Sequence, residues 1–287
     1  MSMTLYINNN GTILSNDAPT INPGNRGHLY GDGVFESVRI MEGKPLNIDH
    51  HITRMLQGAR VLKMRIPSFY TAAFFEEKII ELLIKSGIKT GGRCRISLDR
   101  MTGGAYLPES NECTFYIEVY PYVVNHFELN SKGLEVDIYK DIKLYKNFMS
   151  NYKTKMGLTY VMAAICGNEN GLDDMLLTNE QGNVIESSSS NVFIVSNGVL
   201  YTPGLEEGCI AGTMRMQVIN LAINNGIKVY ECSILPQHLL SADEMFFTNA
   251  IRGVNWVGGY RTKRYMNNIS RKLIVLLNSY WEKELGI

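Results

Sequence analysis

Residues 182–203 read GNVIESSSSNVFIVSNGVLYTP. Within them NVFIVS and GVLYT are short β-branched and apolar runs of the kind that form buried strands, and DMLLT a little upstream is a third. Directly before NVFIV, which begins at Asn191, stand one acid, Glu186, and four consecutive serines. Serines without apolar partners make a poor buried strand, and alone they read as a solvated turn. Hydroxyls and backbone N–H groups in a tight turn can also gather around an anion, which makes the run a possible polar rim. A carboxylate in that position is tolerated if it is aimed at something cationic or protonated.

Working outward, YKTKMG places Lys153 and Lys155 in a loop before a helix whose Leu158, Val161, Met162 and Ile165 share one face. Loop lysines are ordinarily solvated; one used as a nucleophilic amine needs desolvation or a cationic neighbour, and chemistry alone leaves the choice between the two open. Downstream, GCIAGTMR puts Gly212 at a turn opening a helix that Gly226 closes. Unpaired N–H groups at a helix start bind anions, and glycine permits close backbone approach. Arg215 either turns back to that point or lies on the helix surface. A last helix carries Ile269, Leu273, Leu276, Leu277 and Tyr280.

The first 120 residues mix strand and helix signals and read as α+β. MTLYINNNGTIL is a strand, an Asn-Gly turn and a strand, and Glu42-Gly43 turns a second pair. Ile52, Met55, Leu56, Ala59 and Leu62 recur at helical spacing, a second helix runs from Phe74 to Ile84, and RCRISLDR and CTFYIEVYPY alternate as half-buried strands do. Periodicity lapses over 121–133, so the expected organisation is an N-terminal domain over 1–120, a linker over 121–133 and a C-terminal cofactor-binding domain over 134–287.

Bulk composition excludes several classes of partner. Lys plus Arg equals Asp plus Glu at 28 each, so no net field favours nucleic acid or an anionic membrane. Five scattered cysteines show neither metal nor redox spacing, and the adjacent His50 and His51 fall on different helical faces, so no metal site is expected. No leader or membrane-length apolar run stands in the chain, and a soluble cytoplasmic location follows as the expectation.

RGHLYGDGVFESVRI (26–40), DHHITR (49–54), YKTKMGLTYVMAA (152–164), the stretch 182–203, GCIAGTMR (208–215) and DEMFFTNAIRGV (243–254) resemble, in order and separation, the class IV aminotransferases. That family includes branched-chain and D-amino-acid aminotransferases and 4-amino-4-deoxychorismate lyase. The resemblance implies a two-domain α/β (α+β) fold of the D-amino-acid aminotransferase-like type IV, with pyridoxal 5'-phosphate held between the domains of a homodimer. It places the Schiff-base lysine at Lys153, the pyridine-nitrogen partner at Glu186 and phosphate contacts at Arg54, Gly212, Thr213 and Met214. By the same likeness Ser190, Asn191, Asn249 and Ala250 belong to the cofactor wall. Tyr30, Phe35, Arg100 and Arg252 are the candidates for substrate contact.

Departures from the family pattern divide its branches. Aminotransferases usually carry Ile-Thr-Arg where this chain has Thr213-Met214-Arg215, and a threonine where it has Asn249-Ala250; both differences resemble the lyase. Glu36 in VFESVRI resembles the aminotransferases. The expected function is therefore 4-amino-4-deoxychorismate lyase, forming 4-aminobenzoate and pyruvate, with an aminotransferase as the alternative.

Overall fold

The computed structural model describes residues 4–18 and 21–287, so Met3, with which the first strand was expected to begin, lies outside the described residues. Two units are present: residues up to His126 with Tyr152–Met156, and Phe127–Asn151 with Gly157–Ile287.

In the first unit β1 (Tyr6–Asn9) and β2 (Thr12–Ser15) form a hairpin over Asn10 and Gly11, whose φ values of 49° and 96° suit an Asn-Gly turn. The short α1 (Arg26–Tyr30) leads into β3 (Gly33–Met41), and Glu42-Gly43 turns the chain into β4 (Lys44–Pro45). Then follow α2 (Ile48–Val61), α3 (Ala72–Lys85), β5 (Gly92–Arg100) and β6 (Cys113–Pro121). The antiparallel sheet has the order β2-β1-β6-β5-β3-β4. Strand alternation sends Val34, Val38, Ile96 and Leu98 to the face packed with Ile52 and Met55 of α2 and Phe75 and Ile79 of α3. Each such buried side chain contributes roughly 1.5–3 kcal/mol. Phe35, Ser37, Arg95, Ser97 and Asp99 take the other face, where Phe35 lies opposite Ser97 and Ser37 opposite Arg95.

Tyr152–Met156 belongs to this unit and not, as the sequence organisation suggested, with the C-terminal part. Phe35 N–H donates to Lys153 O and Lys155 N–H to Gly33 O, both at 2.9 Å, and Val34 pairs with Thr154. Because β4 covers only Ile40 and Met41 of β3, the early part of β3 has an edge left to receive this segment. Spacing along the chain carries no trace of so distant a pairing.

The second unit comprises β7 (Leu134–Ile138), α4 (Leu158–Glu169), β8 (Asp174–Thr178), β9 (Val184–Ser187), β10 (Asn191–Ser196) and β11 (Val199–Thr202). It continues with α5 (Thr213–Asn224), β12 (Val229–Glu231), α6 (Pro236–Ser241), β13 (Glu244–Asn249), β14 (Gly253–Tyr260), β15 (Lys263–Arg264) and α7 (Asn268–Leu285). The sheet order is β12-β11-β10-β13-β14-β7-β8-β9, and β9 also pairs back to β10 through Glu186 and Asn191. Strands β10, β13, β14, β7, β8 and β9 thus close into a ring. The serine run is the turn that closes it, with Ser187 N–H donating to Ser190 O at 2.7 Å. On α4 the small Ala163 and Gly167 face inward, while Leu158, Val161, Met162 and Ile165 stand 39–73% exposed.

Candidate active site

Lys153 and Lys155 point to the same side of the Tyr152–Met156 segment, because alternate residues of an extended chain do so. Their surroundings differ. Lys153 Nζ lies 4.5 Å from the centroid of the Phe35 ring, and the Arg95 guanidinium carbon lies 3.9 Å from the same centroid. Burial lowers the pKa of Arg95 from its ordinary value, with Glu118 opposing. Lys155 Nζ is instead ion-paired to Asp99 Oδ1 at 2.5 Å. Arg95 and Asp99 were not singled out from sequence; their place on an alternating strand beside Phe35 was the available signal.

Arg54 sits on α2 and donates from Nε to Glu36 Oε1 at 2.7 Å and from Nη2 to Oε2 at 2.5 Å. His51 Nδ1 lies 2.7 Å from the same Oε2. The two side chains meet because positions 51 and 54 are one turn apart on α2, facing β3. Burial pushes the Glu36 carboxyl up, but the charge of Arg54 and the hydrogen bond from His51 outweigh it and hold the group at about 2. His51 has its pKa lowered by burial, so the neutral ring donates from Nδ1 to Glu36.

Arg100, expected on a substrate carboxylate, is committed elsewhere. Its Nε donates to Asp32 at 2.8 Å, Nη1 to Asn111 Oδ1 at 2.5 Å and Nη2 to Leu62 O at 2.6 Å, and the residue is 7% exposed. Strand alternation places it on the helix-covered side of β5, away from Phe35. Tyr30 is partly exposed, with its ring 5.7 Å from that of Tyr106 and under the guanidinium of Arg26.

In the second unit Glu186 is 3% exposed. The Tyr160 phenol donates to Oε1 at 2.7 Å and Ile210 N–H to Oε2 at 3.0 Å. Tyr160 was missed from sequence, since nothing local links the first turn of α4 to a strand that follows much later. The serine hydroxyls gather around an anion, but it is the protein's own. Ser187 and Ser188 donate to Asp174 at 2.8 and 2.6 Å, Ser188 N–H adds a bond at 3.1 Å and Ser189 a longer one at 3.4 Å. Only Ser190 is directed otherwise, accepting from Asn249 Nδ2 at 2.9 Å. Of the four serines expected on the cofactor wall, Ser190 is the one whose hydroxyl is not directed to Asp174.

Gly212 caps α5 without a side-chain hydrogen bond. A Cβ there would fall 1.9 Å from Asn191 Oδ1, so glycine alone lets α5 begin this close to β10. Asn191 Nδ2 donates to Ile210 O at 2.8 Å, which ties the turn before α5 to the strand that carries the serine run. Thr213 and Met214 open the helix, and both are buried. Arg215 turns away to Pro203 O and Glu231, at 2.8 and 2.5 Å. Asn249 Oδ1 accepts from Ile251 and Arg252 N–H, and it turns the chain past Ala250, leaving the Arg252 side chain exposed. Within the second unit, an acid held by neutral donors and a helix start capped only by glycine suit a phosphate-bearing heteroaromatic cofactor.

A family model described as amino-transferase class IV matches residues 33–257. A D-alanine aminotransferase of Listeria monocytogenes is 28% identical over 265 residues, covering 86% of this chain and 84% of that protein. An aminodeoxychorismate lyase of Bacillus subtilis is 28% identical over 254 residues, covering 86% and 83%. Among solved structures, a branched-chain aminotransferase from Thermoproteus uzoniensis with norvaline superposes with a TM-score of 0.89, at 24% identity over 99% of this chain and 95% of that one, which establishes the fold.

Proposed function

Because the chain belongs to the class IV aminotransferases, we propose that it is a pyridoxal 5'-phosphate enzyme whose reaction runs through Lys153 and Glu186. The observation that carries this reading is the contrast between the lysines: Lys155 is ion-paired to Asp99, whereas Lys153 lies over the Phe35 ring. A lysine held in an ion pair is kept protonated, which makes Lys155 the poorer nucleophile. When bound, the cofactor supplies an electron sink for the bond broken at the substrate. Lys153 Nζ would take up and return the substrate proton. Glu186 would be the carboxylate partner of the pyridine nitrogen. Arg54 and the N–H groups of Thr213 and Met214 would hold the phosphate, with Gly212, Asn191, Ser190, Asn249 and Ala250 shaping the turns around it.

The substrate reading is 4-amino-4-deoxychorismate. It rests on Met214 and on Asn249, whose side chain is turned to Ser190 and its own loop where the aminotransferase branches carry a phosphate-binding threonine. Lys153 removes the ring proton, pyruvate departs and 4-aminobenzoate remains. Arg95, with Phe35 beneath it, takes over the carboxylate role first given to Arg100; Arg252 and Tyr30 stay as rim contacts. An aminotransferase reaction is the second reading, favoured by Glu36, which is fully buried against Arg54. A homodimer accompanies either reading, since the apolar stripe of α4 is left uncovered in one chain.

The test is direct. The purified protein is loaded with pyridoxal 5'-phosphate and given 4-amino-4-deoxychorismate or, separately, an amino acid with 2-oxoglutarate. Release of 4-aminobenzoate with pyruvate establishes the lyase; amino transfer without it establishes the aminotransferase; failure of both overturns the assignment.

A further inference from the structure

We propose that Tyr160 is a positioning residue that, by donating to Glu186, keeps a proton on the pyridine nitrogen of the bound cofactor. The inference rests on the cofactor reading given above and goes beyond it in naming what controls Glu186. Both carboxylate oxygens are engaged inside the second unit: Oε1 by the Tyr160 phenol at 2.7 Å and Oε2 by the Ile210 amide at 3.0 Å. The two donors come from different elements, α4 and the turn before α5, while the acid is fixed by its strand register between Leu177 and Asn191. The two contacts engage both oxygens and so fix the orientation of the group.

Every donor to a carboxylate lowers its affinity for a proton. In a hydrogen bond between a pyridinium N–H and a carboxylate, the proton stays on nitrogen only while the carboxylate is the weaker base. Removing the phenol makes Glu186 a stronger base, so the share of the proton held on the ring nitrogen would fall and the share on an Oε atom would rise. The balance is a single proton, with no other reactant.

The Tyr160 phenol and the Cys209 thiol both feel the charge of this carboxylate. Burial and the charge of Glu186 push the phenol above the ordinary tyrosine range. The same two causes push the thiol up to about 12, with Arg215 opposing. Both stay protonated wherever an enzyme of this type is assayed, so Tyr160 is a permanent donor. A small helix residue makes the reach possible: Gly167 lets α4 lie against Met175 of β8, with 3.2 Å between an added Cβ and Met175 Cγ.

The experiment uses holoenzyme carrying cofactor labelled with 15N in the ring. The nitrogen chemical shift and the visible band are followed against pH in the wild type, in Tyr160→Phe and in protein with a fluorinated tyrosine at position 160, a stronger donor. Tyr160→Phe is expected to move the nitrogen shift of the protonated form toward its unprotonated value, the ratio of proton on the ring nitrogen to proton on Glu186 changing about tenfold, which corresponds to one hydrogen bond to a charged group. Its kcat falls roughly tenfold with KM nearly unchanged, and the fluorinated protein shifts in the opposite sense. Identical nitrogen shifts of the protonated form in wild type and Tyr160→Phe, even with a lower melting temperature, overturn the proposal. If Tyr160→Phe does not fold, an unchanged shift of the protonated form in the fluorinated protein does the same. A wild type that takes up no cofactor overturns the cofactor reading itself, an outcome distinct from a Tyr160 effect that is missing from a loaded enzyme.

Discussion

Lys155 Nζ and Asp99 Oδ1 lie 2.5 Å apart, with the Asp99 side chain 1% exposed. Gly27 and Gly33 make room for that carboxylate: a Cβ on either would come within 2.6 Å of it. The pair clamps the Lys153 segment to β5 from the same side as Phe35. Removing one partner of a buried pair strands the other charge, so Lys155→Met is expected to lose about 3–5 kcal/mol of stability in urea unfolding while retaining the visible cofactor band. Lys153→Ala is expected to do the reverse, abolishing turnover with little loss of stability. A band that disappears with Lys155 and survives without Lys153 would exchange the two assignments.

Glu36 gives the first unit a defined acid response. Its carboxyl is held at about 2 against an ordinary 4.5, so its stabilisation is complete above 4.5 and is lost as pH falls toward 2. The difference amounts to something on the order of 3 kcal/mol. His51 acts in the same direction from a higher pH, because its lowered folded pKa means that the unfolded chain takes the proton first. Wild type and Glu36→Gln should therefore differ most in melting temperature near neutrality and converge in acid. A constant gap across that range would show that Glu36 does not carry the response.

Ser188 is expected to behave as a structural residue. Its hydroxyl and its N–H both serve Asp174. Ser188→Ala should cost roughly 1–3 kcal/mol in thermal unfolding while leaving cofactor affinity within a factor of two. A large drop in cofactor affinity without loss of stability would restore the view that the run lines the pocket.

The apolar stripe on α4 is expected to be covered by a second copy. Val161→Asp, at a position 52% exposed in one chain, should convert the dimer to monomer in sedimentation without unfolding it. An unchanged sedimentation coefficient would place the dimer contact elsewhere.

What could be read from residues alone followed the range of the interactions. The Asn10-Gly11 and Glu42-Gly43 turns, α2, α3 and the glycine start of α5 rest on contacts a few residues apart, and the structure contains them. The attachment of Lys153 to β3, the pairing of β9 with β10 and the phenol of Tyr160 on Glu186 join distant segments, and no local pattern marks them. Arg100 illustrates a different limit. Its strand was recognised, but the face was decided by Asp32, Leu62 and Asn111, and these lie outside that strand. The serine run had the right chemistry and the wrong client, because Asp174 supplies the anion from a neighbouring strand.

The pairing of Glu186 with Asn191 is also where the ring of strands meets itself. An open sheet would leave β9 and β10 with unsatisfied edges that recruit other chains. Closure requires strands distant in sequence to find each other, which makes it a slow step in assembly. Glu186, paired with Leu177 on one side and Asn191 on the other, is therefore held from both sides only once that seam has formed.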